Sequence, residues 1–282
     1  MDDDKSGVLG PGILARTMSV ATVRGKESRA WQYHSRSDAH SKVACWTLLF
    51  DLLVRCDAMR EATAKCKLGF AINRTMVGPI NKTLDLVVTW KSRRERAAGR
   101  TFADLVRTYG IVLDPYEQAT LDALPALVED RRNDTSEVAV AIEAKACMTE
   151  HIKSLPRLHA EILATGYLAR LAVRDCITVS YNLVNAAPLF VSPSAVGKRN
   201  RHVQPSDARR VVEMLATAIP LTRSTDYGYD AIGTTVVDCR NDGSPVVVVE
   251  DDAIGPSRSA FTHYERMVSA VCSRFRARFG GS

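Results

Sequence analysis

The chain lacks the sequence features of membrane-spanning, secreted and disulfide-stapled proteins. It has no run of about 18 apolar residues, so no transmembrane helix is expected. Its acidic first five residues are unlike a secretory signal. The seven cysteines are scattered and include no Cys-x-x-Cys pair, which favours reduced, mostly buried thiols over a disulfide framework or a zinc site. We therefore expect a cytoplasmic protein that makes no contact with a membrane.

Several catalytic and cofactor motifs are also missing. The sequence contains no P-loop, no Gly-x-Gly-x-x-Gly dinucleotide motif and no Gly-x-Ser-x-Gly nucleophile motif. The six histidines show neither of the short spacings, His-x-His and His-x-x-x-His, that are typical of metal ligands. No internal repeat and no low-complexity segment occurs. Any catalytic site of this protein must therefore consist of residues outside these motifs.

The composition is that of an ordinary globular protein with a basic surface. The chain has 282 residues, of which 46% are hydrophobic and 25% charged, and its formal net charge is +6. Part of the positive charge is local, and a basic patch is the electrostatic signature of a polyanion partner. A merely solvated surface is the alternative. The two clusters that we single out are Arg93, Arg94 and Arg96, and Lys198, Arg199 and Arg201.

The hydrophobic pattern predicts an α/β fold. Residues 1–37 are expected to be irregular because glycines punctuate them. Apolar residues at helical spacing predict a first helix from about residue 38 to 59, and Asp51 is expected on its outer flank. The remaining segments are predicted from periodicity and capping residues: strands at 66–72, 83–88 and 138–145, two short helices within 91–136, a helix at 154–170 and a strand at 177–184.

The C-terminal third extends this pattern. A helix is expected at 205–218, a hairpin around Asn241-Asp242-Gly243-Ser244 and a last helix at 260–279. A strand, a crossover helix and a second strand form a parallel unit. The expected architecture is a mixed central sheet with flanking helices: a core over 38–185 that carries an insertion at about 91–136, and an elaboration of the same domain over 186–282.

Two strands carry charged residues where their apolar runs end. Asp85 lies within Thr83–Val88, and Glu143 and Lys145 end the apolar run that starts at Val138. Residues two apart on a strand leave the same face, so Glu143 and Lys145 share a face while Ala144 faces the packed side. Mg²⁺ prefers oxygen ligands, and one or two carboxylates suffice beside substrate phosphates. Such a set suits metal-assisted hydrolysis of a phosphodiester, although a Glu-x-Lys triplet also arises by chance.

The order helix, three strands, helix and strand, with Asp85 on the second strand and Glu143-Ala144-Lys145 on the third, resembles the PD-(D/E)xK nuclease superfamily. The resemblance implies an αβββαβ restriction-endonuclease-like core, Mg²⁺ held by Asp85 and Glu143, and Lys145 assisting the attacking water. Two features depart from the family pattern. Leu84 stands where a proline often precedes the aspartate, and the long gap between the motif residues requires the insertion at 91–136.

The size of the chain favours a type II restriction endonuclease within that superfamily, a homodimer that cuts both strands of double-stranded DNA. A repair, phage or mobile-element nuclease, and a catalytically silent DNA-binding protein, are the alternatives. DNA contacts are expected from the two basic clusters and from Lys153. Thr149 and His151, which follow the motif strand, are further candidates for a phosphate contact, with a plain polar loop as the alternative.

Overall fold

A mixed, seven-stranded sheet with helices on both faces organises the protein. The structure, a computed structural model, describes residues 7–24, 29–77, 80–91, 99–131, 137–194, 198–217 and 228–280. This architecture confirms the predicted α/β class with a mixed central sheet and flanking helices. Among the helices of these ranges, none is long and apolar enough to cross a membrane.

The described chain forms eight helices and eleven strands. The helices are α1 (Gly10–Ser19), α2 (Ala39–Arg55), α3 (Asp57–Ala64), α4 (Asp104–Tyr109), α5 (Pro115–Ala123), α6 (His151–Ala172), α7 (Ser206–Thr217) and α8 (Tyr264–Phe279). The strands are β1 (Val23–Arg24), β2 (Ala30–Trp31), β3 (Leu68–Met76), β4 (Lys82–Trp90), β5 (Val128–Glu129), β6 (Val138–Cys147), β7 (Ile177–Asn185), β8 (Leu189–Val191), β9 (Arg199–Arg201), β10 (Ala231–Asp238) and β11 (Val247–Val248).

The central sheet has the strand order β11-β10-β7-β6-β4-β3-β5. The β6–α6–β7 unit is parallel, as predicted, and β10 adds a further parallel strand beside β7. The β3–β4, β4–β6 and β10–β11 pairs are antiparallel. Every residue of β7 is buried, because strands lie on both sides of it and helices cover both of its faces. The site strands β4 and β6 therefore lie side by side, away from the sheet edges.

Alternation along the strands divides the core between the two faces of the sheet. In β4, Leu86 and Val88 join the large cluster that packs against α1, α2 and α8, whereas Val87 belongs to a cluster beneath α6. A third cluster fills the space between α6, α7 and strands β7 and β10. The large cluster contains residues from the N-terminal segment, the predicted core and the C-terminal third. The C-terminal third is therefore part of the same domain.

The predicted helix over 38–59 ends at Arg55 and is followed by a separate α3, and the β8–β9 hairpin was not predicted. The N-terminal segment and the insertion also differ from the sequence prediction. Residues 1–37 are not irregular where the structure describes them, since α1 buries Ile13 and Leu14 against α2, and β1 pairs with β2. Pro11 in the first turn of α1 starts this helix, so the Gly-Pro-Gly run marks a helix start. The insertion contains the two predicted short helices, and it also supplies β5, a two-residue edge strand parallel to β3 that the prediction missed.

Asp51 is buried inside the fold, so its expected position on the outer flank of α2 is wrong. It is 1% exposed and accepts the N–H groups of Leu9 and Gly10 at 2.9 and 2.8 Å, and the hydroxyl of Tyr264 at 2.9 Å. These contacts tie the start of α1 and the start of α8 to α2. A Cβ atom at Gly10 would lie 2.2 Å from the Tyr264 hydroxyl oxygen, so the close approach requires glycine.

We expect Asp51→Ala to lower the free energy of unfolding by about 3 kcal/mol, since it leaves three buried donors without an acceptor. Asp51→Asn keeps one acceptor oxygen and should cost less.

The stability should also depend on pH through Asp51. Burial raises the pKa of Asp51 to about 6, although the hydrogen bonds from its three donors act to lower the pKa. The native state therefore holds this proton more tightly than the unfolded chain does. The stability that this proton supplies is lost as the pH rises from about 4 to about 6. Denaturant unfolding at pH 5 and pH 7 measures both effects, and identical curves for Asp51→Ala and the parent chain would contradict the assignment.

Candidate active site

Asp85, Glu143 and Lys145 line one cleft of about 380 Å³. The start of α2, the adjacent ends of β4 and β6 and the N-terminal half of α6 form its walls. Leu86 of β4 lies opposite Ile142 of β6, and one step further along this antiparallel ladder Asp85 comes level with Glu143. Neighbouring strands thus carry both carboxylates to the same opening.

Asp85 is held by three donors from two different elements. The Lys42 ammonium lies 2.7 Å and the Ser41 hydroxyl 3.0 Å from Oδ1, and both residues belong to the first turn of α2. The backbone N–H of Ala144 donates to Oδ2 at 3.0 Å. Burial alone would raise the pKa of Asp85, but the Lys42 charge and these hydrogen bonds hold the pKa below its ordinary value. Asp85 is therefore ionised at neutral pH.

Glu143 combines two cationic neighbours with an unbonded oxygen. The ammonium groups of Lys145 and Lys82 lie 2.7 and 2.9 Å from Oε1. Its other oxygen, Oε2, is buried and accepts no hydrogen bond from any described residue. The Glu143 side chain is 4% exposed. A buried carboxylate oxygen without a donor is costly, so it marks a position where a cation or a donor would be stabilised.

Lys145 is a fixed positive charge in the cleft. Burial would lower the pKa of its ammonium, but the charge and hydrogen bond of Glu143 raise the pKa above its ordinary value. Glu161 of α6 adds a longer ion pair at 3.7 Å. Because the amine stays protonated at neutral pH, Lys145 can orient a water or stabilise negative charge, but it cannot serve as a base in this arrangement.

His40 is a titratable group of the cleft that is neutral at pH 7. Burial lowers the pKa of its imidazole to about 4, although Asp85 and Asp38 act to raise the pKa. Its ring packs on Tyr33, with the ring centroids 4.7 Å apart. At neutral pH the ring is therefore uncharged, and it places a polar but uncharged side chain beside the Asp85 carboxylate.

The donor set of the cleft fits a hard divalent cation. Two carboxylates, one with an unbonded oxygen, provide the oxygen ligands that Mg²⁺ accepts alongside water and phosphate. Within the ranges that the structure describes, no three His, Cys, Asp or Glu side chains gather closely enough to form a complete protein ligand set. A metal at Asp85 and Glu143 would thus take the rest of its ligands from water and substrate.

Three residues after β6 are the candidates for a phosphate contact. The side chain of one is exposed, and the side chains of the other two form hydrogen bonds within the protein. Lys153 is 82% exposed at the start of α6 and lies 3.7 Å from Glu150. His151 is 1% exposed, and its Nε2 lies 2.7 Å from the carbonyl oxygen of Asn185, so the expected phosphate contact by His151 is wrong. The Thr149 hydroxyl lies 3.4 Å from Nε2 of His202. Of these three residues, Lys153 has a freely accessible side chain.

One basic cluster lies on a β-hairpin that packs beside the cleft. In the antiparallel β8–β9 pair, Phe190 is opposite Asn200, while Val191 and Leu189 are opposite Arg199 and Arg201. Phe190 is buried and packs edge-on against Tyr33, which lines the cleft. Arg199 and Arg201 are exposed on the other face, and Lys198 is exposed just before β9. The other cluster, Arg93, Arg94 and Arg96, lies outside the described residues.

Lys42 and Lys82 are site residues that the sequence analysis missed. Both lysines contact the motif carboxylates, Lys42 from the first helix and Lys82 from the start of the Asp85 strand. A lysine in an amphipathic helix usually faces solvent, and no spacing rule relates it to Asp85. The available signal was the position of Lys42 four residues before Trp46 and seven before Leu49, which places it on the apolar side of the predicted helix.

Comparisons of the chain with protein-family models, with curated proteins and with solved structures gave no match. The resemblance to PD-(D/E)xK nucleases therefore stays a prediction that rests on Asp85, Glu143 and Lys145 and on the order of the elements that carry them.

Replacing Lys42 tests the charge balance of the cleft. We expect Lys42→Met to lower the free energy of unfolding by about 3 kcal/mol at pH 7, because it leaves the buried Asp85 carboxylate without its cation. The depressed pKa of Asp85 contributes stability above the ordinary carboxyl pKa, and this contribution is lost as the pH falls below about 4. The difference between the two proteins should therefore narrow in acid.

Lys65→Met is the matched control for this experiment. Its ammonium lies on the surface, 63% exposed and 3.7 Å from Glu61, so its removal should change stability little. Urea unfolding at pH 7 and at about pH 3, below the ordinary carboxyl pKa, measures the effect. A loss for Lys42→Met that is no larger than the loss for Lys65→Met would show that the buried pair does not stabilise the fold.

Proposed function

We propose that the protein is a Mg²⁺-dependent endonuclease that hydrolyses phosphodiester bonds of double-stranded DNA, with the sequence specificity of a type II restriction enzyme. The observation that carries the proposal is the hydrogen bond from the N–H of Ala144 to Asp85, which joins the centre of the Glu-x-Lys triplet to the second acidic strand. Both carboxylates and Lys145 then face one opening that can admit a phosphate.

Each residue of the site has a distinct proposed role. Asp85 and Glu143 would hold the metal, and the Lys42 ammonium keeps Asp85 ionised and in place. Lys145 would orient the attacking water and offset the charge that develops on the phosphate. Lys82, which also contacts Glu143 Oε1, balances the second carboxylate. When bound, Mg²⁺ supplies Lewis-acid activation of the phosphate and lowers the pKa of a bound water.

The charge of the cleft suits a polyanionic substrate. Lysines 42, 82 and 145 surround two motif carboxylates, so the central residues carry a net positive charge before any metal is added. Arg36 and Arg157 also line the opening, but so do Asp38 and Glu161, so the excess of positive charge stays at one. Phosphate groups of DNA provide the complementary negative charge, and contacts of this kind position a duplex without reading its sequence.

Cleavage of plasmid DNA in Mg²⁺ tests the proposal. We expect discrete fragments from the parent protein and a more than hundredfold slower reaction for Asp85→Asn and Glu143→Gln, because each change removes a metal ligand and keeps the side-chain shape. DNA binding should persist, since other contacts hold the phosphates. Glu213→Ala, which removes an exposed carboxylate on α7, is the matched control and should cleave normally.

The outcomes separate the alternatives. A smear in place of discrete bands would favour a repair, phage or mobile-element nuclease of the same fold. DNA binding without cleavage in either Mg²⁺ or Mn²⁺ would favour a catalytically silent DNA-binding protein. Retention of more than about a tenth of the parental rate by both variants, equivalent to a barrier change under about 1.4 kcal/mol, would contradict the assigned carboxylates.

The β8–β9 hairpin is expected to contact the DNA backbone. We predict that replacing Lys198, Arg199 and Arg201 together by alanine weakens DNA binding and flattens its salt dependence by about one unit of slope for each phosphate that the variant no longer neutralises. A base-reading arginine would instead cost about 1–3 kcal/mol at one position of the recognition site. Fluorescence anisotropy over a salt series measures the slope.

Arg258→Ala is the control for the hairpin variant. Arg258 is 87% exposed and lines a different cleft, beside Gly255 and His263, so its loss should leave the slope unchanged. Equal slopes for the hairpin variant and the parent protein would show that the hairpin charges serve solubility and lie away from the DNA.

A further inference from the structure

The outer face of α6 is an exposed apolar stripe. The helix buries Leu158, Ile162 and Ala169 against the sheet, as an amphipathic helix should. Its opposite face, however, has few polar residues. The residues of α6 that are exposed are Ile152, Lys153, Pro156, Arg157, Ala160, Leu163, Ala164, Tyr167 and Leu171. The two charged residues in this set lie near the N-terminal end, so the central and C-terminal turns present an apolar surface to solvent.

The large side chains of this stripe are well exposed. Ile152, Leu163 and Leu171 are 41, 45 and 39% exposed, and Tyr167 is 44% exposed. Single exposed apolar residues are normal on protein surfaces, but a continuous row of them marks an interaction surface. The row extends from Ile152 to Leu171, about 28 Å along the helix axis. The stripe therefore has the length of a helix–helix contact.

The spacing of the stripe is symmetric about a point between residues 161 and 162. Ile152 and Leu171 are equidistant from this point, as are Pro156 and Tyr167, and as are Ala160 and Leu163. Two copies of α6 that pack antiparallel about a twofold axis there would place Leu163 of each copy against position 160 of the other. A large side chain would meet a small one on both sides of the axis, which is the self-complementarity that an isologous interface requires.

From this symmetry we infer that α6 is a homodimer interface, in which the stripe packs against the same stripe of a second copy of the chain. The same symmetry places Lys153 level with Arg170 of the second copy, whose charge Asp230 of its own chain neutralises. The inference assigns a surface to the homodimer expected from the sequence, and it does not rest on the nuclease activity.

The size of the stripe sets the strength of the dimer. A row about 28 Å long and about 10 Å wide covers roughly 300 Å² per copy, against about 800 Å² per partner in a standard interface. The stripe alone is therefore well below the size of a standard interface, so it can form only the centre of one, and we expect a weak dimer. Arg157, Leu158 and Glu161 line the cleft from α6, so the twofold axis would bring the two clefts close together.

A charge-swap experiment tests both the surface and the direction of packing. Sedimentation equilibrium of the full chain from about 1 to about 100 µM should show the mass rising from 30.9 kDa toward twice that value. Ile152→Glu and Leu171→Lys should each raise the dissociation constant at least tenfold, because each places a charge in an apolar contact. The double variant should recover affinity, since the two new charges face each other only across the antiparallel dimer.

The controls separate interface effects from folding effects. The residues at 152 and 171 lie 19 positions apart on one helix, so the two charges cannot pair within a single copy. Val247→Lys, at an exposed position of β11, should leave the association unchanged. Circular dichroism melts establish that each variant is folded. A monomer throughout the concentration range, a dimer that both single variants leave intact, or a double variant no tighter than the single variants would overturn the inference.

Discussion

The neutralisation of buried charge where β4 and β6 meet α2 is the constraint on which the rest of the site depends. Asp85 can stay ionised because Lys42, Ser41 and the N–H of Ala144 surround it. These groups come from the first helix and from the motif strand, so the helix, both strands and their register must be correct together. A register slip of one residue would turn Glu143 and Lys145 toward the packed face.

The rest of the chain holds this arrangement in position. Asp51 links α1, α2 and α8, which fixes the helix that carries Lys42. The side chain of Asn241 accepts the N–H of Tyr33 and donates to carbonyl oxygens of Tyr33 and Val191, so the β10–β11 turn also anchors the β8–β9 hairpin. The C-terminal third therefore supports one wall of the cleft, and its residues belong to the same structural unit as the motif.

The sequence predicted the central elements well because their signals are local. Periodicity placed α2, β4, β6, α6 and β7, and Asp114-Pro115 with Glu117 correctly marked α5, whose capping box is formed. Helix α1 was missed because its glycines and proline are typical of a turn, and only packing against α2 stabilises it. Strand β5 was missed because two residues carry no period, so its pairing with β3 is a tertiary effect.

In the site, too, the local features could be predicted from the sequence and the tertiary contacts could not. A strand pattern can place Glu143 and Lys145 on one face, but it cannot reveal that Lys42 pairs with Asp85, 43 residues away. The buried states of Asp51 and His151 were equally hidden, because the partners of each residue are distant in sequence or belong to the backbone. Long-range partners decide whether a polar residue is catalytic or structural, and one sequence does not contain that information.

Direct measurement of cation binding tests the central claim, that Asp85 and Glu143 form a metal site. Electron paramagnetic resonance of Mn²⁺ added to the purified protein, with and without double-stranded DNA, reports the bound fraction. We expect the parent protein to bind Mn²⁺, and DNA to strengthen this binding because substrate phosphates complete the ligand set. Asp85→Asn and Glu143→Gln should each abolish it. Equal Mn²⁺ binding by the parent protein and both variants, or no binding in the presence of DNA, would contradict the central claim.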